Sequence, residues 1–160
     1  MGAFASAAFY FFAFLLRIQL MNASVQAKLG EALEQNSDVP AAYLFGSAAA
    51  DEPVRNDLDI LVLLREGADR FEAYTQLTRS LAEASGLPED KIDLLFLDLR
   101  EANPHVLIKA VNHGVLLKNA GPKLLSERIE EISMYFLENE PILQRAEILK
   151  KENLEAFCGA

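Results

Sequence analysis

Three aspartates and one Gly-Ser pair are the residues of this 160-residue chain whose types and spacing could do chemistry. Asp57 and Asp59 stand two apart in DLDILVLL, so in an extended strand both carboxylates leave the same face. Asp93 sits in KIDLLFLD, after one crossover, at a similar distance from the start of its own apolar run. Three carboxylates brought together repel one another unless a cation lies among them. Oxygen donors alone suit Mg²⁺, which keeps waters and completes its shell with substrate phosphates. Upstream, AAYLF runs into Gly46-Ser47. A glycine lets backbone N–H groups approach a phosphate closely, and a serine hydroxyl adds a hydrogen bond. Metal beside phosphates is the equipment of phosphoryl or nucleotidyl transfer.

The elements that must position these residues are legible from periodicity. Val25, Leu29, Ala32 and Leu33 recur at helical spacing, which predicts an amphipathic helix over 23–35. Residues 41–45 form a short apolar strand stopped by Gly46. Residues 57–64 form a second strand, with Asp57, Asp59 and Leu61 on one face and Leu58, Ile60 and Val62 on the other, a two-sided apolar pattern that marks a buried central strand. Asp69 opens a helix to Ser85, with Gly86 and Pro88 as its stop. A third strand spans 91–97 and a turn 98–103; a helix over 104–112 has Pro104 at its first position. Val115 to Lys118 is a short strand or an extended tail, and helical sequence begins again at Pro122, is interrupted at Pro141 and resumes over 142–157. This mixture gives an α/β (α+β) arrangement, a small mixed sheet flanked by helices with a helical C-terminus.

YLFGS, nine intervening residues, DLDILV and the later aspartate of KIDLLFLD together resemble the DNA polymerase β-like nucleotidyltransferase superfamily. Within it the chain looks like the minimal nucleotidyltransferases, many of which are MntA-type antitoxins paired with HEPN-domain toxins. The resemblance covers roughly Val25 to Lys118. It implies that Asp57 and Asp59 bind the metals, that Asp93 joins them and helps activate the attacking hydroxyl, and that Gly46 and Ser47 form the phosphate-binding turn. It further implies Mg²⁺, ATP as co-substrate, and transfer of AMP to a tyrosine of a HEPN toxin, which silences its ribonuclease activity. The chain departs from the pattern in one respect: Ala48, Ala49 and Ala50 stand where a basic residue or two commonly follows the Gly-Ser. Arg55 is the candidate replacement for that phosphate contact.

Composition narrows the partners. Net charge is -9, and outside residues 1–20, which carry only Arg17, 24 acids face 14 Lys and Arg, or -10. Such a balance does not suit long nucleic acid held through its phosphates; it suits a small-molecule site or a basic protein partner, and a homo- or hetero-oligomer. Cys158 is the only cysteine, so no internal disulfide forms and the chain needs no oxidising compartment. A cytoplasmic protein is expected. Residues 3–16, AFASAAFYFFAFLL, carry no charge but fall short of a spanning helix, and no basic region precedes them. We read residues 1–20 as an apolar extension and 21–160 as the nucleotidyltransferase domain, starting near Met21. A misassigned start, a signal-like segment or a loose membrane anchor all fit the extension.

Each residue also has a plainer reading. Gly46-Ser47 alone is an ordinary turn, the Asp57 and Asp59 pair a solvated strand end, and Asp93 an edge charge. His105 and His113, eight apart, are too distant for a shared ion on adjacent helical turns and read as surface or capping residues. Two further functions fit the same constellation: a non-catalytic antitoxin that neutralises by contact, and a small-molecule (aminoglycoside-type) nucleotidyltransferase, for which no acceptor-binding residues stand out.

Overall fold

A computed structural model describes residues 23–46, 57–100 and 102–158. Its centre is a four-stranded mixed sheet of β1 (Ala41–Phe45), β2 (Leu58–Leu63), β3 (Ile92–Phe96) and β4 (Val115–Asn119), in the order β3-β2-β1-β4. β1 pairs antiparallel with β2 and with β4, while β3 lies parallel to β2. That parallel pair needs a crossover, supplied by helix α2 (Arg70–Ser85). The N-terminal helix α1 covers 23–34, α3 spans Pro104–His113, and α4 spans Pro122–Cys158.

Alternation along the strands builds two cores. Ala42, Leu44, Leu58, Ile60, Val62, Ile92 and Phe96 face Leu29 and Leu33 of α1 and Leu77 and Leu81 of α2. Ala41, Tyr43, Leu61, Leu63 and Leu97 face Leu107 and Ala110 of α3 and Leu125 and Ile132 of α4. β2 is thus apolar on both faces because helices cover both, and each buried Leu or Ile contributes about 1.5–3 kcal/mol. Asp57, Asp59 and Asp93 belong to the face covered by α3 and α4.

The ends of the elements follow their residues. Asp69 Oδ1 accepts from the Glu72 amide at 2.9 Å to cap α2, and Gly86, at φ 75, closes it. Gly114 lets α3 end against β1, since a Cβ there would stand 2.9 Å from the Leu44 carbonyl oxygen. Lys118, on edge strand β4, is buried because its Nζ donates to the Leu33 and Asn36 carbonyls at 2.9 and 3.0 Å. A cation thereby caps the C-terminal carbonyls of α1.

Two expectations need correction. The predicted interruption at Pro141 does not occur: α4 runs through it as one helix. Proline costs roughly 3 kcal/mol in a helix interior, but Pro141 is exposed, so the freed Leu137 carbonyl lies on a residue already 64% exposed. Strong helix formers on both sides carry the helix past it. Lys91, placed by pattern in the third strand, instead closes a single 3-10 turn, Glu89–Lys91. Pro88 and the two acids after it favour a turn over extended pairing.

Candidate active site

Strand register brings the sequence-distant aspartates together. Asp59 lies directly opposite Asp93 in the parallel β2–β3 pair, which sets their backbones about 4.8 Å apart with both side chains on one face. Asp57 precedes β2 on the same side. Burial first, then the charges of Asp93 and Asp57, hold the Asp59 carboxyl above the usual carboxylate range. The crowding expected of three acids is therefore present, and it centres on Asp59, the half-buried member.

Gly46 belongs to the same spot. Across the antiparallel pair Phe45 is the partner of Asp59, and Gly46, at φ 70, continues past the strand end. A Cβ at Gly46 would fall inside van der Waals contact of Asp59 Oδ2, so the glycine makes room for that carboxylate as well as for the turn. Gly46→Ala is expected to cost roughly 1–2 kcal/mol from the left-handed φ alone. It should also displace Asp59, so that a thermal melt and metal uptake, followed by calorimetry with Mn²⁺, both move.

Asp57 is held differently. Its Oδ1 lies 3.1 Å from Lys91 Nζ; the bond to Asp57 and the charges of Asp57, Asp90 and Asp93 raise the Lys91 ammonium above its ordinary value. Lys91 is a site residue that sequence reasoning missed. Its place just ahead of Ile92 in KIDLLFL was the available signal. Ser47 and Arg55 lie outside the described residues, as do Ala48, Ala49 and Ala50.

The donor set fits a hard divalent cation: carboxylate oxygens, one of them crowded by like charge. Among the described residues no three acidic, histidine or cysteine side chains are drawn into coordination distance, and Asp57 is engaged by Lys91. A dication binding here would take Asp57 from Lys91 and relieve Asp59. Replacing Lys91 by Met should accordingly tighten Mn²⁺ uptake, read by the same calorimetry. Histidine is not part of this arrangement. His105 packs edge-on against Phe136, ring centroids 4.7 Å apart.

A strand ending in glycine, an Asp-x-Asp strand beside it, and a third aspartate on the adjoining parallel strand define an α/β nucleotidyltransferase. The chain belongs to the family described as Polymerase beta, Nucleotidyltransferase, which matches residues 27–123. No curated protein matches it. Among solved structures, a toxin–antitoxin with AMP-PNP is 26% identical at a TM-score of 0.56, covering 76% of this chain and 98% of that one. The MntA-HepT toxin–antitoxin is similar at 25% identity and a TM-score of 0.53, over 77% of this chain and 97% of that one. A third structure, a tri-AMPylated Shewanella oneidensis HEPN toxin in complex with MNT antitoxin, is 25% identical at a TM-score of 0.54, with 79% and 98% covered.

Proposed function

We propose that this nucleotidyltransferase uses Mg²⁺ and ATP to transfer AMP to a tyrosine hydroxyl of a HEPN-type partner toxin, and so acts as the antitoxin of the pair. The observation that carries the reading is the direct pairing of Asp59 with Asp93, in a fold whose structural neighbours include a complex with an AMPylated HEPN toxin. Bound Mg²⁺ would neutralise the phosphates and the charge developing between the attacking and leaving oxygens.

The chain's own groups have distinct parts in this scheme. Asp57 and Asp59 hold the cation; Gly46, Ser47 and Arg55 cradle the triphosphate. Asp93 takes the acceptor proton as the hydroxyl oxygen bonds to the α-phosphorus, and the bond to the bridging oxygen breaks to release pyrophosphate. Asp93 is exposed and β3 is an edge strand, which leaves room for an acceptor as large as a protein.

We take residues 21–160 as the domain and 1–20 as an extension. Among the described residues no helix is long and apolar enough to cross a membrane, and a cytoplasmic site of action suits a partner that degrades RNA. The partner is expected to form a hetero-oligomer with this chain. Incubation of the co-purified pair with Mg²⁺ and ATP labelled at the α-phosphate is expected to label the partner. Label passing from the γ-phosphate would mean phosphoryl transfer instead, and an intact but unlabelled complex would favour the contact-only antitoxin.

A further inference from the structure

At the end of the sheet opposite the aspartates, a cleft of about 410 Å³ opens where β2 and β3 finish. Asp59 and Leu63, which lines the cleft, are four residues apart on β2, so cleft and aspartates are separated by roughly 13 Å. Four guanidiniums line the cleft: Arg65 and Arg70 from the loop and first turn after β2, Arg100 after β3, and Arg128 from α4. In a chain of net charge -9, this gathers four of its 15 basic residues on one wall.

The guanidiniums are arranged in two ranks. Asp98, 6% exposed, accepts from Arg70 and from Arg100 Nη2 at 2.7 Å and Nε at 3.1 Å. One buried carboxylate thus orients two guanidiniums. Those hydrogen bonds, Arg100 first, hold Asp98 far below the usual carboxylate range. Arg65 uses Nε on the Ser37 carbonyl at 2.9 Å, and Arg128 uses Nη1 on Glu131 at 2.8 Å. Among the described residues the terminal nitrogens of Arg65 have no hydrogen-bond partner. Forked guanidinium donors match the tetrahedral oxygens of phosphate, and the cleft volume lies within the roughly 300–1,000 Å³ of small-molecule sites.

We propose that this arginine-lined cleft is a second ligand site, separate from the aspartates, that takes a small phosphate-bearing molecule with Arg65 and Arg128 as its direct anion contacts. Three acids share the lining with the four arginines: Asp98 is committed to two cations, Glu131 is an exposed i,i+3 partner that an incoming phosphate can displace from Arg128, and Glu66 is exposed, so the lining keeps one net positive charge.

The test is calorimetric titration of the full chain with inorganic phosphate, pyrophosphate and AMP, without divalent metal, so that the aspartates repel the probes. Saturable 1:1 uptake of pyrophosphate is expected. Arg65→Gln with Arg128→Gln should weaken it about tenfold or more at an unchanged melting temperature, since neither side chain is buried, while Asp57→Asn with Asp59→Asn should leave it unchanged. AMP binding tighter than pyrophosphate would identify a nucleotide as the source of the phosphate; equal binding would identify the phosphate groups alone, and both support the site. Absence of saturable uptake, or uptake indifferent to the arginine changes, overturns the proposal. So does uptake lost in the aspartate variant, which would place the phosphate at the catalytic cluster.

Discussion

Replacing Asp59 by Asn will lower AMP transfer by on the order of 10³-fold or more while raising the melting temperature of the metal-free chain. On the proposed mechanism the loss follows from removing the carboxylate at the centre of the proposed cation site, where the charge stabilisation supplied to the reacting phosphate would be worth several kcal/mol. The gain in stability follows from the same crowding. Asp59 is held above its usual value by burial, Asp93 and Asp57, so the folded chain binds its proton more tightly than the unfolded chain does. Stability therefore rises as the pH falls between the raised value and 3.8, the ordinary value for the group, and the penalty is fully present at neutral pH. An amide of the same shape carries no such penalty. Single-turnover labelling of the partner and thermal melts at pH 7 with EDTA measure the two effects. Loss of transfer with an unchanged or lower melting temperature would mean that Asp59 is not electrostatically strained. Undiminished transfer would remove the aspartates from the mechanism.

The largest stability effect is expected at Asp98, with the opposite sign. Asp98→Asn leaves Arg70 and Arg100 without the buried acid that holds them, and breaking such a pair costs 3–5 kcal/mol when both partners are buried. Here the arginine side chains are 38% and 80% exposed, so water recovers part of that cost. About 2 kcal/mol remains, or a fall in melting temperature of about 4–8 °C. Because the Asp98 pKa is depressed, this stabilisation is present above the usual carboxylate value of 3.8 and drains away as the pH falls towards the folded value. The gap between melts of the two chains should narrow from pH 7 to pH 3 without closing, because the folded value lies lower still. A gap of the same size at both pH values would assign the effect to packing rather than charge. Transfer of AMP is the control, since Asp98 sits at the far end of the sheet.

Much of this protein is read directly from local pattern. Alternation in Leu58 to Leu63 marks a strand buried on two sides, and Asp69 and Gly86 bracket α2 through cap chemistry that acts within four residues. The Gly46, Asp57, Asp59 and Asp93 constellation is equally local in spelling, because each residue is recognisable by its place at a strand end. Pro141 shows where local rules stop: proline disfavours a helix interior, but the rule does not weigh an exposed site against neighbours that carry the helix past it.

What sequence alone determined is therefore most of the elements and the fold class, since these depend on periodicity and on interactions a few residues long, and it named the aspartates of the proposed site. Three things depended on tertiary structure. The parallel pairing of β2 with β3 set Asp59 opposite Asp93 and helped to raise the Asp59 carboxyl above its usual range. The turn before β3 brought Lys91 to Asp57. The folding of α4 across the strand ends put Arg128 beside Arg65, Arg70 and Arg100. Each joins residues 28 or more positions apart in the chain, across separations where charge and burial act through space and leave no periodic trace in the sequence.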